Sequence, residues 1–219
     1  ILKAQVLKLS VDQSRGQIVD FRDAVDIIVP DYKQKLVNGD QMGIRTGWEY
    51  LDDQMGGLMP GDLLSIVGRP AMGKTFKMLY MMWNAWFVQK KRTMLVSMEM
   101  NPLVLTQRLA AMQSSKNLTQ LTNAELSTKG YNQMVQELTT IKDHPVPAWI
   151  IDGNLSASVE DIWMLAQQLK PDVIYIDGGY LLSHPNPRIG RYEKVAENCE
   201  GMKKGLAGGL GIPVAASWK

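Results

Sequence analysis

The chain has 219 residues, 45% of them apolar and 21% charged, with 24 lysines and arginines against 22 aspartates and glutamates. That balance excludes a wholly disordered polypeptide, and the length supports one domain of ordinary size plus an attached arm. One cysteine, Cys199, excludes an internal disulfide framework and suits a reducing compartment, two histidines are too few for a zinc site of their own, and no apolar run approaches the ~20 residues that span a bilayer, so no membrane association is expected.

Residues 17–37 place Ile18, Phe21, Val25 and Ile28 at helical spacing with Asp20, Asp23 and Asp26 between them. Pro30 is expected to break or restart that helix, and Asn38-Gly39-Asp40 is a turn signal. Residues 1–42 thus read as an amphipathic arm and linker. Its apolar face fits its own domain or a neighbouring subunit, and the sequence favours neither. From residue 43, short apolar runs alternate with longer amphipathic stretches. Strands are predicted at 62–67, 93–98, 148–151, 173–176 and 212–216, and helices at about 74–89, 102–114, 125–142, 158–169 and 191–207. Ser158 and Asp161 form a capping box ahead of the fourth of these helices. Alternation at this spacing predicts an α/β domain, with a mainly parallel sheet, helices on both faces, and ligands at the carboxyl ends of the strands.

Gly68, Arg69, Pro70, Ala71, Met72, Gly73, Lys74 and Thr75 complete the pattern G-x-x-x-x-G-K-S/T between a strand and a helix. The glycines let backbone amides wrap phosphate oxygens, and the following helix adds donors and positive potential. Lys74 is expected to reach the β- and γ-phosphates of ATP, with the Thr75 hydroxyl on Mg²⁺. Asp177 ends the fourth apolar run, where a carboxylate can hold that metal through water; a turn role competes, because two glycines follow it. Glu99 follows the second strand. An acid at the tip of a strand beside the phosphate loop can orient and polarise an attacking water, although a first-turn acid near a helix start is the other reading. The residue after Asp177 is glycine, so the paired Asp-Glu of many ATPases is missing.

Gly43-Ile44-Arg45-Thr46-Gly47, Gly56-Gly57-Leu58 with Pro60-Gly61-Asp62-Leu63, the phosphate loop, Ser97-Met98-Glu99-Met100, Gln107-Arg108-Leu109, Ile176-Asp177 and Gly211-Ile212-Pro213-Val214 together resemble DnaB-type replicative helicases in order and spacing, over about residues 43–216. The resemblance implies a RecA-like P-loop domain preceded by a linker helix. It further implies ring-shaped hexamers that move along single-stranded DNA using ATP and Mg²⁺, with ATP at subunit boundaries. Lys74 and Glu99 would be catalytic, the loop 68–75 would bind nucleotide, and Thr75 and Asp177 would hold the metal. A primase or helicase loader would be a partner, in the cytoplasm of a bacterium or a bacteriophage-infected cell. Two departures stand out. The family pattern continues beyond Lys219 through a glutamine, a second DNA loop and an arginine finger, so the core at 43–219 is expected to be truncated at its C-terminal end. Asp177-Gly178-Gly179-Tyr180-Leu181 also departs from the usual Asp-Tyr-Leu, with Gly178 and Gly179 between the aspartate and the tyrosine.

The loop after Asp177 leads to Arg188, Arg191 and Lys194, which can neutralise phosphates, while Tyr192 can stack on a base; a solvated loop is the competing reading. Lys90-Lys91-Arg92 is expected to cap the helix before it, Met78, Met81, Met82, Trp83, Trp86, Trp149 and Trp163 to pack, His184 to lie on a surface loop, and His144 to have no chemistry. Two other functions stay open: a RecA/RadA-like recombination ATPase forming filaments on DNA, and a nucleotide-binding assembly module without turnover.

Overall fold

The computed structural model describes residues 20–38, 43–153, 157–186 and 188–219. The chain divides into two units, 1–41 and 42–219. In the first, a 3-10 turn at Phe21–Asp23 leads into helix α1, Ala24–Asn38. Asp20 starts it by accepting the Arg22 amide at 3.0 Å. The helix runs through Pro30, against the expected break. A proline there forfeits one backbone hydrogen bond, and the residues on either side keep helical backbone. Phe21, Val25, Ile28, Tyr32 and Leu36 recur at spacings of three and four and are all exposed, an apolar stripe down one face. The expected start at residues 17–19 and the turn at Gly39-Asp40 lie outside the described residues.

The second unit is built on a five-stranded, all-parallel sheet: β1 Leu63–Val67, β2 Thr93–Ser97, β3 Ala148–Asp152, β4 Val173–Asp177 and β5 Val214–Trp218, in spatial order β1-β5-β4-β2-β3. The helices are α2 Glu49–Met55, α3 Lys74–Trp83, α4 Pro102–Gln113, α5 Leu118–Thr122, α6 Thr128–Thr139, α7 Val159–Leu169 and α8 Arg191–Gly201. Successive strand residues face opposite sides, and β2, β4 and β5 are buried on both, with alternate residues entering different cores. Met94, Val96, Ile174, Ile176, Val214 and Ala216 pack against Val159, Ile162 and Ala166 of α7 and against Met202 and Leu206. Leu95, Val173, Tyr175 and Ala215 pack on the other face against Met78, Leu79, Met81 and Met82 of α3 and Leu105 of α4. Methionines thus fill both layers, with Met94, Met98 and Met202 in the first.

Several element limits differ from expectation for physical reasons. β5 begins two residues late because Gly211 turns the chain at φ +65° and Pro213 has no amide to give; Val214 opens the ladder by donating to the Asp62 carbonyl at 2.8 Å. The helices from Lys74 and Arg191 each widen into π-helical segments, Asn84–Val88 and Met202–Gly208, the second of them glycine-rich. The stretch 125–142 is helical only over α6, which Ser127 caps, and the short α5 before it, capped by Asn117, has no counterpart among the predicted elements. Nor does α2, which ends on Gly56 in the left-handed region. The Ser158–Asp161 capping box is present. Lys90 does cap its helix, donating to the Phe87 carbonyl at 2.7 Å, whereas Arg92 pairs with Asp172 at 2.6 Å. Trp163 is exposed rather than packed, and Cys199 is half-buried against the first core.

Ahead of β1, Ile44 and Leu58 form an isolated antiparallel bridge, exchanging two backbone hydrogen bonds of 2.9 Å. Gly57 makes this possible: its φ is +79°, and a Cβ there would lie 2.5 Å from the Gly43 carbonyl oxygen. Gly57→Ala is expected to lose about 2–3 kcal/mol of stability, readable as a lower denaturant midpoint with an unchanged slope.

Candidate nucleotide site

The carboxyl ends of β1, β5, β4 and β2 bring the site together. β1 runs into the loop 68–73, where Ala71 adopts φ +63° and Gly73 φ +78° before α3 begins at Lys74. The first turn of α3 therefore presents backbone amides at the loop, as an anion site requires. Gly68 is tied to the neighbouring strand, its amide donating to the Trp218 carbonyl at 3.3 Å. Lys74 is buried, and its Nζ donates to the Arg69 carbonyl at 3.1 Å. The ammonium is thus held over the loop that it would serve.

Asp177, at the end of β4, is almost fully buried. Thr75 Oγ1 donates to its Oδ2 at 2.9 Å, and Ser217 Oγ donates to its Oδ1 at 2.8 Å. Ser217 in turn accepts the Gly178 amide at 2.8 Å. Burial pushes the Asp177 carboxyl above the ordinary aspartate range; the Ser217 and Thr75 hydrogen bonds and Lys74 oppose this, while Glu99 adds to it. A hydroxyl and a carboxylate 2.9 Å apart form a hard-oxygen pair of the kind that takes Mg²⁺ together with phosphate oxygens and water.

The strand that carries Glu99 is not the neighbour of the phosphate-loop strand, contrary to expectation: β5 and β4 lie between β1 and β2. Glu99 reaches the site by another route. The Met98 amide donates to the Asp177 carbonyl at 2.8 Å, extending the β2–β4 ladder, and Gly178 lies so close that a Cβ on it would be 3.1 Å from Glu99 Cγ. The Tyr180 hydroxyl donates to Glu99 Oε1. Sequence reasoning missed Ser217 and Tyr180. Ser217 lies beyond the assumed end of β5, and Tyr180 reaches Glu99 only because the chain turns back at Gly178, φ +89°.

The model of the DnaB-like helicase C terminal domain matches residues 43–218. The chain belongs to the DnaB-like helicase family. The replicative DNA helicase DnaB of Treponema pallidum (strain Nichols) is 31% identical over 198 residues, covering 89% of this chain and 44% of that protein. That of Geobacillus stearothermophilus is 26% identical over 205 residues, covering 90% and 44%. The chain therefore spans less than half the length of these curated relatives. Among solved structures, one ATPase domain superposes with a TM-score of 0.79 at 22% identity, covering 92% of this chain and 71% of that one. A DnaB-like replicative helicase studied with regard to its interactions with primase gives 0.77 at 22%, covering 99% and 52%. These likenesses identify the fold as RecA-like.

In this DnaB-like domain, the segment after Asp177 makes a 3-10 turn, Gly179–Leu181, then a loop that enters α8. Arg188 and Arg191 are exposed, Lys194 is half-buried one turn along α8 from Arg191, and Tyr192 is 91% exposed. The structure does not converge these three cations on a single partner. Arg191 is near enough to Lys219 for their charges to interact. His184 lies in that loop, half-buried, where its Nδ1 accepts the Asn186 amide at 3.1 Å and its Nε2 faces Glu197 Oε2 at 2.9 Å. His144 sits against Trp86, ring centroids 4.4 Å apart, and its Nδ1 is 2.9 Å from the Val146 carbonyl oxygen.

Proposed function

We propose that the protein carrying this chain is an ATP-dependent replicative DNA helicase motor that translocates on single-stranded DNA as a ring-shaped hexamer. The observation that carries this reading is the Thr75–Asp177 pair beneath the phosphate loop, with Glu99 on the adjoining turn, in a chain of the DnaB-like family. Residues 68–75 hold the triphosphate, and Lys74 leaves the Arg69 carbonyl to meet the β- and γ-phosphates. Thr75 and Asp177 hold Mg²⁺, which when bound supplies positive charge against the phosphate oxygens. Glu99 orients the attacking water and accepts its proton. Arg188, Arg191 and Lys194 face the DNA backbone, and α1 with its exposed stripe lies on a neighbouring subunit. A primase or loader as partner, and a cytoplasmic location in a bacterium or phage-infected cell, belong to the same reading.

The test is ATP hydrolysis with and without single-stranded DNA, on the longest chain that contains these residues. Stimulation of about tenfold or more is expected. It should fall with salt, because single-strand affinity drops by about 0.7 log unit per log unit of salt for each phosphate neutralised, and replacing Arg188, Arg191 or Lys194 by alanine should flatten that slope. Nucleotide binding without turnover would point instead to an assembly module, and stimulated turnover with open filaments to a recombination ATPase.

A further inference from the structure

We infer that Tyr180 is a positioning residue for Glu99, fixing one oxygen of its carboxylate so that the other is presented to water. The inference rests on the reading of Glu99 as the group that activates water. Three observations support it. The Tyr180 hydroxyl donates to Glu99 Oε1. Tyr180 is itself held: the residue is 9% exposed and packs in the first core, with Lys219 Nζ 4.9 Å from the ring centroid. The backbone between Asp177 and Tyr180 is also closely confined. A Cβ at Gly178 would lie 3.1 Å from Glu99 Cγ and 3.2 Å from Met98 Cβ, and one at Gly179 would lie 3.2 Å from the Trp218 ring. The two glycines let the chain fold back at Gly178, φ +89°, and bring the phenol over the carboxylate.

The chemistry follows from this geometry. A glutamate side chain has three rotatable bonds, and a carboxylate free to sample them spends little time aligned with a reacting water. A phenol anchored in the core removes that freedom at one oxygen without blocking the second. Burial, and then the neighbouring Glu99 carboxylate, push the Tyr180 phenol above its ordinary range, with Lys219 opposing them, which suits the hydroxyl to the donor role that the geometry gives it. Gly178 and Gly179, by which this segment exceeds the usual Asp-Tyr-Leu spacing, make up that turn.

The experiment uses Tyr180→Phe, which keeps the ring and removes only the hydroxyl, in the full protein. Loss of a group that orients a catalytic side chain typically costs about 10–100-fold. We expect kcat for ATP hydrolysis to fall by about tenfold, with the Kd for ATP within about twofold of wild type and the thermal midpoint nearly unchanged. A purely structural role would move the midpoint and the Kd together. The second arm is Glu99→Asp, whose shorter carboxylate no longer reaches the hydroxyl. If Tyr180 acts through Glu99, adding Tyr180→Phe to Glu99→Asp causes no further loss. An unchanged kcat in Tyr180→Phe, or a full multiplicative loss in the double variant, overturns the inference and leaves the role of Glu99 intact. Wild-type turnover in Glu99→Gln overturns the role of Glu99 itself, and the inference with it.

Discussion

Glu99→Gln is expected to lower ATP turnover by about two to four orders of magnitude while leaving ATP bound, the range that general-base catalysis commonly supplies. The amide keeps the size of the carboxylate and can still accept the Tyr180 hydrogen bond, but it cannot take a proton from water. Nothing in the phosphate loop changes: the Lys74–Arg69 and Thr75–Asp177 contacts lie outside this substitution. Single-turnover quench with labelled ATP, alongside nucleotide retention on the purified protein, reads both halves of the expectation. Slow chemistry with retained ATP is the expected signature. Weak binding instead would mean that Glu99 shapes the nucleotide pocket rather than the reaction.

Lys74→Met should behave differently. Here the side chain is buried and poised over the loop, so its loss removes positive charge from both the bound triphosphate and the transition state. Removing one preorganised electrostatic group costs about 10²–10³ in rate, and an unpaired phosphate charge weakens binding as well. We expect kcat to fall by at least about two orders of magnitude and the Kd for a fluorescent ATP analogue to rise by about tenfold or more. Equilibrium titration separates this variant from Glu99→Gln, which keeps its affinity. Because methionine retains the apolar stem of lysine, the thermal midpoint should hold, and a collapsed midpoint would attribute the loss to packing.

The sheet was legible because its strands carry short, mostly apolar runs, and the phosphate loop because anion binding by backbone amides demands glycine, lysine and a hydroxyl at set positions. Asp177 could be placed by the same logic at the end of a buried strand. What escaped the sequence depended on spatial order. Nothing in the chain order shows that β5 inserts between β1 and β4, so Ser217 could not be seen as the group that joins Asp177 to Gly178. The partnership of Tyr180 with Glu99 spans 81 positions and depends on a left-handed glycine. Pro30 misled in the opposite sense, because a lost hydrogen bond is a cost that a helix can carry and not a prohibition.

The methionines of the two core layers bear on how such a domain can move. Met78, Met81 and Met82 belong to the helix that begins at Lys74, and Met94, Met98 and Met202 lie across the sheet from them. Thioether side chains are unbranched and polarisable, and they refill space after small displacements more readily than branched ones. The compliance of α3 lies in its own side chains, because Met78, Met81 and Met82 are what it packs against Leu95, Val173, Tyr175 and Ala215: a small axial shift at its loop end can be absorbed by their rotamer changes without opening voids. Compliance is concentrated beside the phosphate loop, while the β-branched residues of β4, Val173, Ile174 and Ile176, give the strand that ends in Asp177 a stiffer setting.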